Sequence, residues 1–415
     1  MNCRHCATPL QHRFLDLGFA PPSNAYLSAA DLSRPEVTYP LRVKVCERCW
    51  LVQTEDFAAV DALFTNDYAY FSSTSSSWVE HAALYCRQMI SDLALNANSL
   101  VVEVASNDGY LLQHMQSAGI PCLGIEPTAS TAAAAEARGL PVLREFFGEA
   151  LARRLVAEGR QADLLLGNNV YAHVPDINDF TRGLAIALKP GGTITLEFPH
   201  LLQLITQGQF DTIYHEHFSY LSLLAIQSIF AAAGLRVFRV EQLSTHGGSL
   251  RLFGCLCDDP RPTEASVEAL LQEERAAGLD QVATYEVFQA RAEAIRNDLL
   301  LFLIEQQRAG RRVVGFGAAA KGNTLLNFAG VRPDLLPLVS DAAAAKQGYY
   351  LPGSHIPIVP PERLWQDGPP DVVLILPWNL RAELSPLIRD LHRRLAPSAP
   401  QPRLFTAVPQ LQELT

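Results

Sequence analysis

The sequence predicts an α/β protein in three parts: a small cysteine-anchored module, a larger central domain with a parallel sheet covered by helices, and a smaller α/β domain at the end. Three observations predict it. Four of the eight cysteines fall into two CxxC pairs near the start. From Ser99 the chain alternates apolar strand-like runs with helical stretches, the rhythm of βα units that build a parallel sheet. After a helical stretch over 263–309, a second strand, glycine turn and helix begin at "RRVVGFGAAAKGNTLLNF". At 415 residues the chain is too long for one core, and the boundaries are placed at 1–65, 66–260, 261–310 (a helical linker) and 311–415.

Composition narrows the class. A hydrophobic content of 48% with 18% charged residues is ordinary for a globular enzyme, and no run reaches the ~18 apolar residues of a membrane span. The first residues lack the charged-then-apolar layout of a secretory signal, so a cytoplasmic location is expected. With a net charge of -10 the surface as a whole repels nucleic acid, and neither a nucleic-acid nor a membrane partner is expected.

The N-terminal module is defined by "CRHC" (Cys3, Cys6) and "CERC" (Cys46, Cys49). In a reducing compartment, two CxxC knuckles point to four thiolates sharing a tetrahedral zinc, with no open position for catalytic water. The strand-like "YPLRVKVCERCWLVQ" carries the second knuckle back to the first. Beyond it, "TNDYAYFSSTSSSWVEH" combines aromatics with hydroxyl residues, which suggests an ordered loop, and a helical pattern follows from about Val79 to Leu95.

The central domain reads as strand, turn and helix in "SLVVEVASNDGYLLQHMQSAG", again in "PCLGIEPTASTAAAAEARG", and again in "ADLLLGNNVYAHVPDINDFTRGLAIALKPGGTITLEFPH". Ligands in such sheets bind at the carboxyl ends of the strands. The first turn holds one glycine where a dinucleotide fingerprint has three. What it does offer is Glu103 inside the strand, a turn at Asn107, Asp108 and Gly109, and a second acid, Glu126, placed to accept the hydroxyls of a ribose. "LLLGNNVYAHVPD" and "LKPGGTITLE" resemble the class I (Rossmann-like) methyltransferases that use S-adenosylmethionine.

"GTITLEFPH" is the expected fifth strand, "SLLAIQSIFAAAGL" the next helix, and "RVFRVEQL" and "SLRLFGCLC" strands six and seven joined by "STHGG". The stretch "FDTIYHEHFSYLS" therefore leaves the carboxyl end of a strand, on the donor's side. An oxygen or nitrogen acceptor needs little more than positioning, whereas carbon must first lose a proton. A base is then required, and His titrates nearest neutrality. His217 is the candidate base, with Glu216 to support the imidazole and Tyr214 to donate to an enolate oxygen. His215 reads as a packing residue; the alternative for this cluster is a metal site.

The last third carries Gly315, Gly317 and, 24 residues after Gly317, Asp341. Alone, this leaves nicotinamide binding open. The third glycine is displaced to Gly322 and Lys321 puts a positive charge in the turn, which suits a phosphate-bearing ligand as well. A third possibility is that the glycines serve close helix packing.

Taken in order, the four cysteines, "DLGFAPPSNAYL", "DYAYFSSTSSSW", "EVASNDGYLL", "NNVYAHVPDINDF", "FDTIYHEHFSYLS", "STHGGSLRLF" and "GFGAAAKGNTLLN" resemble the nucleotide-sugar C-methyltransferases over nearly the whole chain. The resemblance implies methylation of carbon 3 of a thymidine-diphosphate-linked 4-keto deoxysugar, with His217 as base beside Tyr214 and Glu216. It implies a structural zinc on Cys3, Cys6, Cys46 and Cys49, and donor contacts from Ser106, Asn107, Gly109, Glu126, Pro127, Asn168 and Asn169. Tyr68, Tyr70, His173, Lys321 and Asn323 are expected on the nucleotide-sugar, which "KQGYYLPGSHIPI" and "LPWNL" of the last domain help to line. Trp50 departs from the pattern, which expects a small residue after the second knuckle. The alternatives are an O- or N-methyltransferase acting on a sugar nucleotide or a C-methyltransferase acting on a non-sugar keto acceptor; a non-catalytic, zinc-dependent protein-binding module is the remoter one. A monomer is expected, because one chain forms the cleft.

Overall fold

In the computed structural model, which describes residues 1–55 and 71–414, Leu41, Val43 and Val45 turn to one face of a strand. Arg42 and Lys44 turn to the other, where they pair with Asp16 at 3.4 Å and Glu55 at 3.0 Å. This period-2 pattern is that of a half-buried strand. Tyr68 and Tyr70 lie outside the described residues.

Three sheets organise the chain. Strands β1 (His12–Ala20), β2 (Tyr39–Val45) and β3 (Val52–Thr54) form an antiparallel meander in the N-terminal module. The central sheet takes β4 (Val101–Val104), β5 (Cys122–Ile125), β6 (Val142–Leu143), β7 (Ala162–Asn168) and β8 (Leu188–Pro199). The chain then supplies β9 (Ser219–Tyr220), which leaves this sheet and pairs with β3 instead. β10 (Leu235–Leu243) and β11 (Ser249–Leu256) return to give the order β10-β11-β8-β7-β4-β5-β6, with β11 antiparallel to both neighbours. Val101, Val102, Leu164, Leu165 and Leu166 are fully buried in adjoining strands, the near-continuous apolar run that a sheet covered on both faces requires.

The third sheet holds β12 (Val313–Phe316), β13 (Val339–Ser340), β14 (Ile358–Val359), β15 (Val372–Ile375), β16 (Arg403–Thr406) and β17 (Gln412–Leu414). The order is β14-β13-β12-β15-β16-β17, parallel except for β17. Its glycines are packing positions: a Cβ on Gly317 would meet Pro377 at 2.5 Å, on Gly315 Val339 at 2.7 Å and on Gly322 Leu376 at 2.8 Å. Asp341 accepts the N–H of Ala343 in its own turn and of Ala318 in the glycine turn after β12, each at 2.8 Å.

The segment between the second and third sheets packs against its neighbours. Helix Phe288–Arg308 buries Phe288, Ala292, Ile295, Leu299, Phe302 and Leu303 at helical spacing. Phe288 stacks on Phe14 of β1 with ring centroids 4.6 Å apart, and one apolar cluster runs from Val43 through this helix to Val313 and Val372. A second cluster joins Cys3, Cys46 and Leu51 to Val102 and Ile194 of the central sheet. No helix among the described residues is long and apolar enough to cross a membrane.

Candidate active site

The chain leaves β4 through residues with left-handed backbone at Ala105 (φ 58°), Asn107 (φ 50°) and Gly109 (φ 77°). Such a turn aims successive N–H groups into one concavity. Glu126, at the end of β5, accepts the N–H of Asn107 at 3.0 Å and of Thr128 at 2.9 Å, so its carboxylate shapes the turn. Around it lie buried polar atoms with no hydrogen-bond partner among the described residues: both oxygens of Glu103, the hydroxyl of Ser106 and the amide of Asn168. Burial, with Glu126 and Asp108 nearby, raises the Glu103 carboxyl well above the usual range. Partnerless buried polar groups are costly in a finished core, and their convergence at the ends of β4 and β7 fits a polar ligand such as S-adenosylmethionine. Pro127 follows Glu126 on the same rim. Residues 72 and 73 close the turn, with the N–H of Ser72 on Asn107 Oδ1 at 2.9 Å and the Ser73 hydroxyl on Asp108.

A Cβ on Gly109 would lie 2.2 Å from Leu140 Cδ1, in a backbone conformation that side chains disfavour. Gly109→Ala is expected to cost about 1–3 kcal/mol of stability. It should also weaken donor binding about tenfold or more. Thermal unfolding and titration calorimetry read the two effects.

On the acceptor side, residues 210–222 carry the expected base. His217 is 8% exposed, and its Nδ1–H donates to the carbonyl of Thr212 at 2.9 Å. The proton therefore resides on Nδ1 and the lone pair on Nε2, which has no hydrogen-bond partner among the described residues. The Tyr214 ring lies over the imidazole with centroids 4.0 Å apart, and His173 meets it edge-on at 4.6 Å. Burial, together with the charges of His173 and Lys321, sets the His217 pKa well below its ordinary value, and the hydrogen bond to Thr212 only partly opposes this. The same desolvation brings His173 down to about 4.

The group against Nδ1 is thus a backbone carbonyl. Glu216 instead accepts the amide of Asn24 at 3.1 Å, and burial raises its carboxyl. His215 packs edge-on to Tyr39 at 6.0 Å. Lys321 donates to Asn379 Oδ1 at 2.8 Å and lies 5.0 Å over the Trp378 ring, so the "LPWNL" turn does meet the glycine-turn lysine. Asn323 Nδ2 donates to Ser23 O at 3.2 Å and its Oδ1 accepts from Asn327 at 3.3 Å, joining helix Ala320–Ala329 to the "APPSNAYL" loop. Asn169 (φ 54°) donates its N–H to Glu197 O at 2.7 Å and its amide to His246 Nε2 at 3.1 Å.

Sequence reasoning passed over a buried ionic group beside this site. Glu197, at the end of β8, is 0% exposed and is held by Arg251 at 2.6 Å, His81 at 2.9 Å and Thr245 at 3.1 Å. Burial alone would raise its carboxyl; the His81 hydrogen bond and the Arg251 charge outweigh it and hold it below the usual range. His81 stacks on Trp78 at 4.9 Å, and Trp78 lies 4.9 Å from His246 of the "STHGG" loop. An acid within "TITLEF" and a base within "SLRLF", each inside an otherwise apolar strand, were the available signal. Asp211 was missed as well, although it is fully buried two residues after Gln209 in the base's own loop.

The knuckles converge. Sγ of Cys3 and Cys49 are 3.5 Å apart, as are those of Cys6 and Cys46, and all four lie within 4.8 Å of one another. Tetrahedral zinc with bonds of about 2.3 Å needs sulfurs about 3.8 Å apart, so the set fits a closed structural site. Ala7 and Trp50 take the left-handed conformation after each knuckle (φ 59° and 60°) while donating N–H to Cys3 O and Cys46 O, both at 2.9 Å. That is the reason a small residue is expected at 50; Trp50 meets the strain while its ring stacks parallel to Tyr285 at 6.4 Å.

A parallel sheet with one reversed strand, a polar concavity at the ends of β4, β5 and β7 and a separate zinc module define an S-adenosylmethionine-dependent methyltransferase of the class I fold. Residues 78–240 match the methyltransferase domain family, residues 3–64 a zinc binding domain and residues 244–394 the C-methyltransferase C-terminal domain. The chain is 32% identical over 410 residues to the C-methyltransferase NovU of Streptomyces niveus, covering 98% of this chain and 97% of that protein. It belongs to this family of zinc-containing C-methyltransferases. Solved structures similar to it include an S-adenosylmethionine-dependent methyltransferase from Clostridium acetobutylicum (10% identity, 43% of this chain and 92% of that one, TM-score 0.36). Another is magnesium protoporphyrin IX methyltransferase from Synechocystis with its donor bound (16% identity, 43% and 80%, TM-score 0.32).

Proposed function

We propose that the acceptor is the carbon beside the ketone of a nucleotide-linked 4-keto deoxysugar, carbon 3 of a thymidine diphosphate sugar, and that His217 is the base. The observation that carries this reading is the Thr212 carbonyl on Nδ1, which leaves the Nε2 lone pair as the reacting atom of a neutral, desolvated imidazole. Nε2 takes the proton from carbon, the C–H electron pair becomes the carbon–carbon double bond, and the ketone oxygen takes up the negative charge. Tyr214, stacked on the imidazole, is the proposed donor to that oxygen, and Lys321 is the nearby cation. S-adenosylmethionine, when bound, would supply an electrophilic methyl group: the enolate carbon's electron pair would form the new C–C bond while the methyl–sulfur bond breaks and its pair stays on the neutral sulfur of S-adenosylhomocysteine. A neutral imidazole whose pKa is depressed is a weak base, so polarisation of the ketone has to lower the C–H acidity barrier in the same site.

The test is incubation of the purified chain with ¹³C-methyl S-adenosylmethionine and a panel of 4-keto sugar nucleotides in deuterated water. The expected product carries its methyl on carbon, and deuterium enters carbon 3 before transfer. A product with the label on oxygen or nitrogen, whose methyl shift is distinct, overturns the assignment.

The pH dependence follows from the sign of the shift. The base works only when neutral, so kcat/KM falls as pH drops through the His217 pKa, and that pKa is lowered. The acid limb is therefore expected below the ~6.5 of a free imidazole. Above it the rate stays flat until another group titrates. An acid limb centred above 7 would contradict the buried geometry of His217.

A further inference from the structure

We propose that the C-terminal domain positions the catalytic base, by gripping residues 211 and 213 on either side of the carbonyl that holds His217. Asp211, Thr212 and Ile213 are consecutive, and the carbonyl of the middle residue accepts the imidazole's Nδ1–H at 2.9 Å. From the turn after β15, Trp378 Nε1 donates to Asp211 Oδ2 at 2.8 Å. From helix Ala320–Ala329, Thr324 Oγ1 donates to the carbonyl of Ile213 at 3.1 Å. Asp211 is 0% exposed, and burial raises its carboxyl to about 6 against the opposing charge of Lys321 and the Trp378 hydrogen bond, so Trp378 is its side-chain partner from the C-terminal domain. The same Trp378 ring fixes the turn from a second side: a Cβ on Gly247 would meet it at 2.3 Å, and Gly247 O accepts Gln209 Nε2 at 2.7 Å.

The consequence is chemical. Histidine in water prefers its proton on Nε2, the nitrogen that must be bare in a base. The Thr212 carbonyl reverses that preference only while it stays against Nδ1. None of Asp211, Thr324 and Trp378 reaches Nε2; they act through Thr212 as positioning residues. The methyltransferase sheet thus carries a base whose reactive form is set by another domain.

This inference rests on the reading of His217 as the base, but its test needs no acceptor. The full chain is labelled with ¹⁵N-histidine, and the His217 signals are assigned by their loss in His217→Asn. The wild type is expected to show the Nδ1–H tautomer. Trp378→Phe and Thr324→Val are each expected to shift a substantial fraction to Nε2–H, whereas Thr324→Ser, which keeps the hydroxyl, retains the wild-type signal. With any accepted 4-keto sugar nucleotide, kcat is expected to fall about 10- to 100-fold, the usual loss when a partner behind a reacting group is removed, with KM little changed. Thr324→Val is nearly isosteric and keeps the test alive if Trp378→Phe does not fold. A wild-type tautomer in folded Thr324→Val and Trp378→Phe overturns the inference. A shifted tautomer with unchanged turnover leaves the C-terminal grip on the His217 tautomer standing but overturns the reading of His217 as the base.

Discussion

His217→Asn is expected to lower methyl transfer by about 10²- to 10⁴-fold, the range contributed by a positioned general base. Asparagine is close in size to the proximal half of histidine, and its amide can still donate to the Thr212 carbonyl that Nδ1 uses at 2.9 Å. The loop is therefore retained and only the lone pair at Nε2 is lost. The polar concavity for the donor is built from the ends of β4, β5 and β7, which residue 217 does not touch, so S-adenosylmethionine affinity should stay within about twofold. Single-turnover transfer of labelled methyl, with calorimetric titration of the donor, separates the two quantities. Loss of deuterium exchange at the acceptor carbon should accompany the loss of transfer. Turnover within about threefold of wild type would remove His217 from the chemistry.

Loss of the zinc is expected to be equally severe, by a longer route. Zinc binding to small Cys-ligated modules is worth about 10–16 kcal/mol, against a net stability of about 5–15 kcal/mol for a whole domain. Cys46→Ser removes a ligand whose sulfur lies 3.5 Å from that of Cys6. The N-terminal sheet then loses its anchor, and that sheet includes β9, which starts two residues after His217. Val52 pairs with Tyr220 and Gln53 with Ser219, and Gln53 Nε2 donates to Cys3 Sγ at 3.2 Å, so the metal site and the base's loop share one short strand pairing. Chelation under mild heating, or Cys46→Ser, is expected to lower Tm and abolish transfer together. Metal analysis, thermal unfolding and the transfer assay check this; wild-type Tm and activity in a zinc-free variant would show the module to be dispensable.

Much of the site was legible because its signals are local. The knuckle cysteines stand at fixed short spacing, since one tight turn has to deliver two ligands, and they do converge. The strands of the central sheet announce themselves as apolar runs, and the "STHGG" hairpin joins β10 to β11 where expected. Glu216 shows where such reading stops. Its place beside His217 suggests a carboxylate supporting an imidazole, yet successive side chains in this loop diverge and Glu216 pairs with Asn24 from the N-terminal module. Asn323 likewise stands two residues from Lys321 but is drawn to Ser23. The group of Glu197, Arg251 and His81 comes from three separated segments, Glu197 and Arg251 each standing as the one charge within an apolar run.

By itself the sequence determined the fold class, the zinc ligands, the methyltransferase sheet and the loop that presents His217. The alternation of strands and helices and the cysteine knuckles depend on periodicity and on spacings of a few residues, which the covalent chain preserves; the methyltransferase reading of the sheet came from the resemblance to a known family. Only the tertiary structure decided which nitrogen of His217 is bare, because that depends on a backbone carbonyl, Thr212 O, with no side-chain signature. It also decided that Trp378 and Thr324, far along the chain, close on the segment bearing that carbonyl. Contacts of this kind follow from packing between domains, where burial makes each unpaired polar atom find the partner that geometry brings to it.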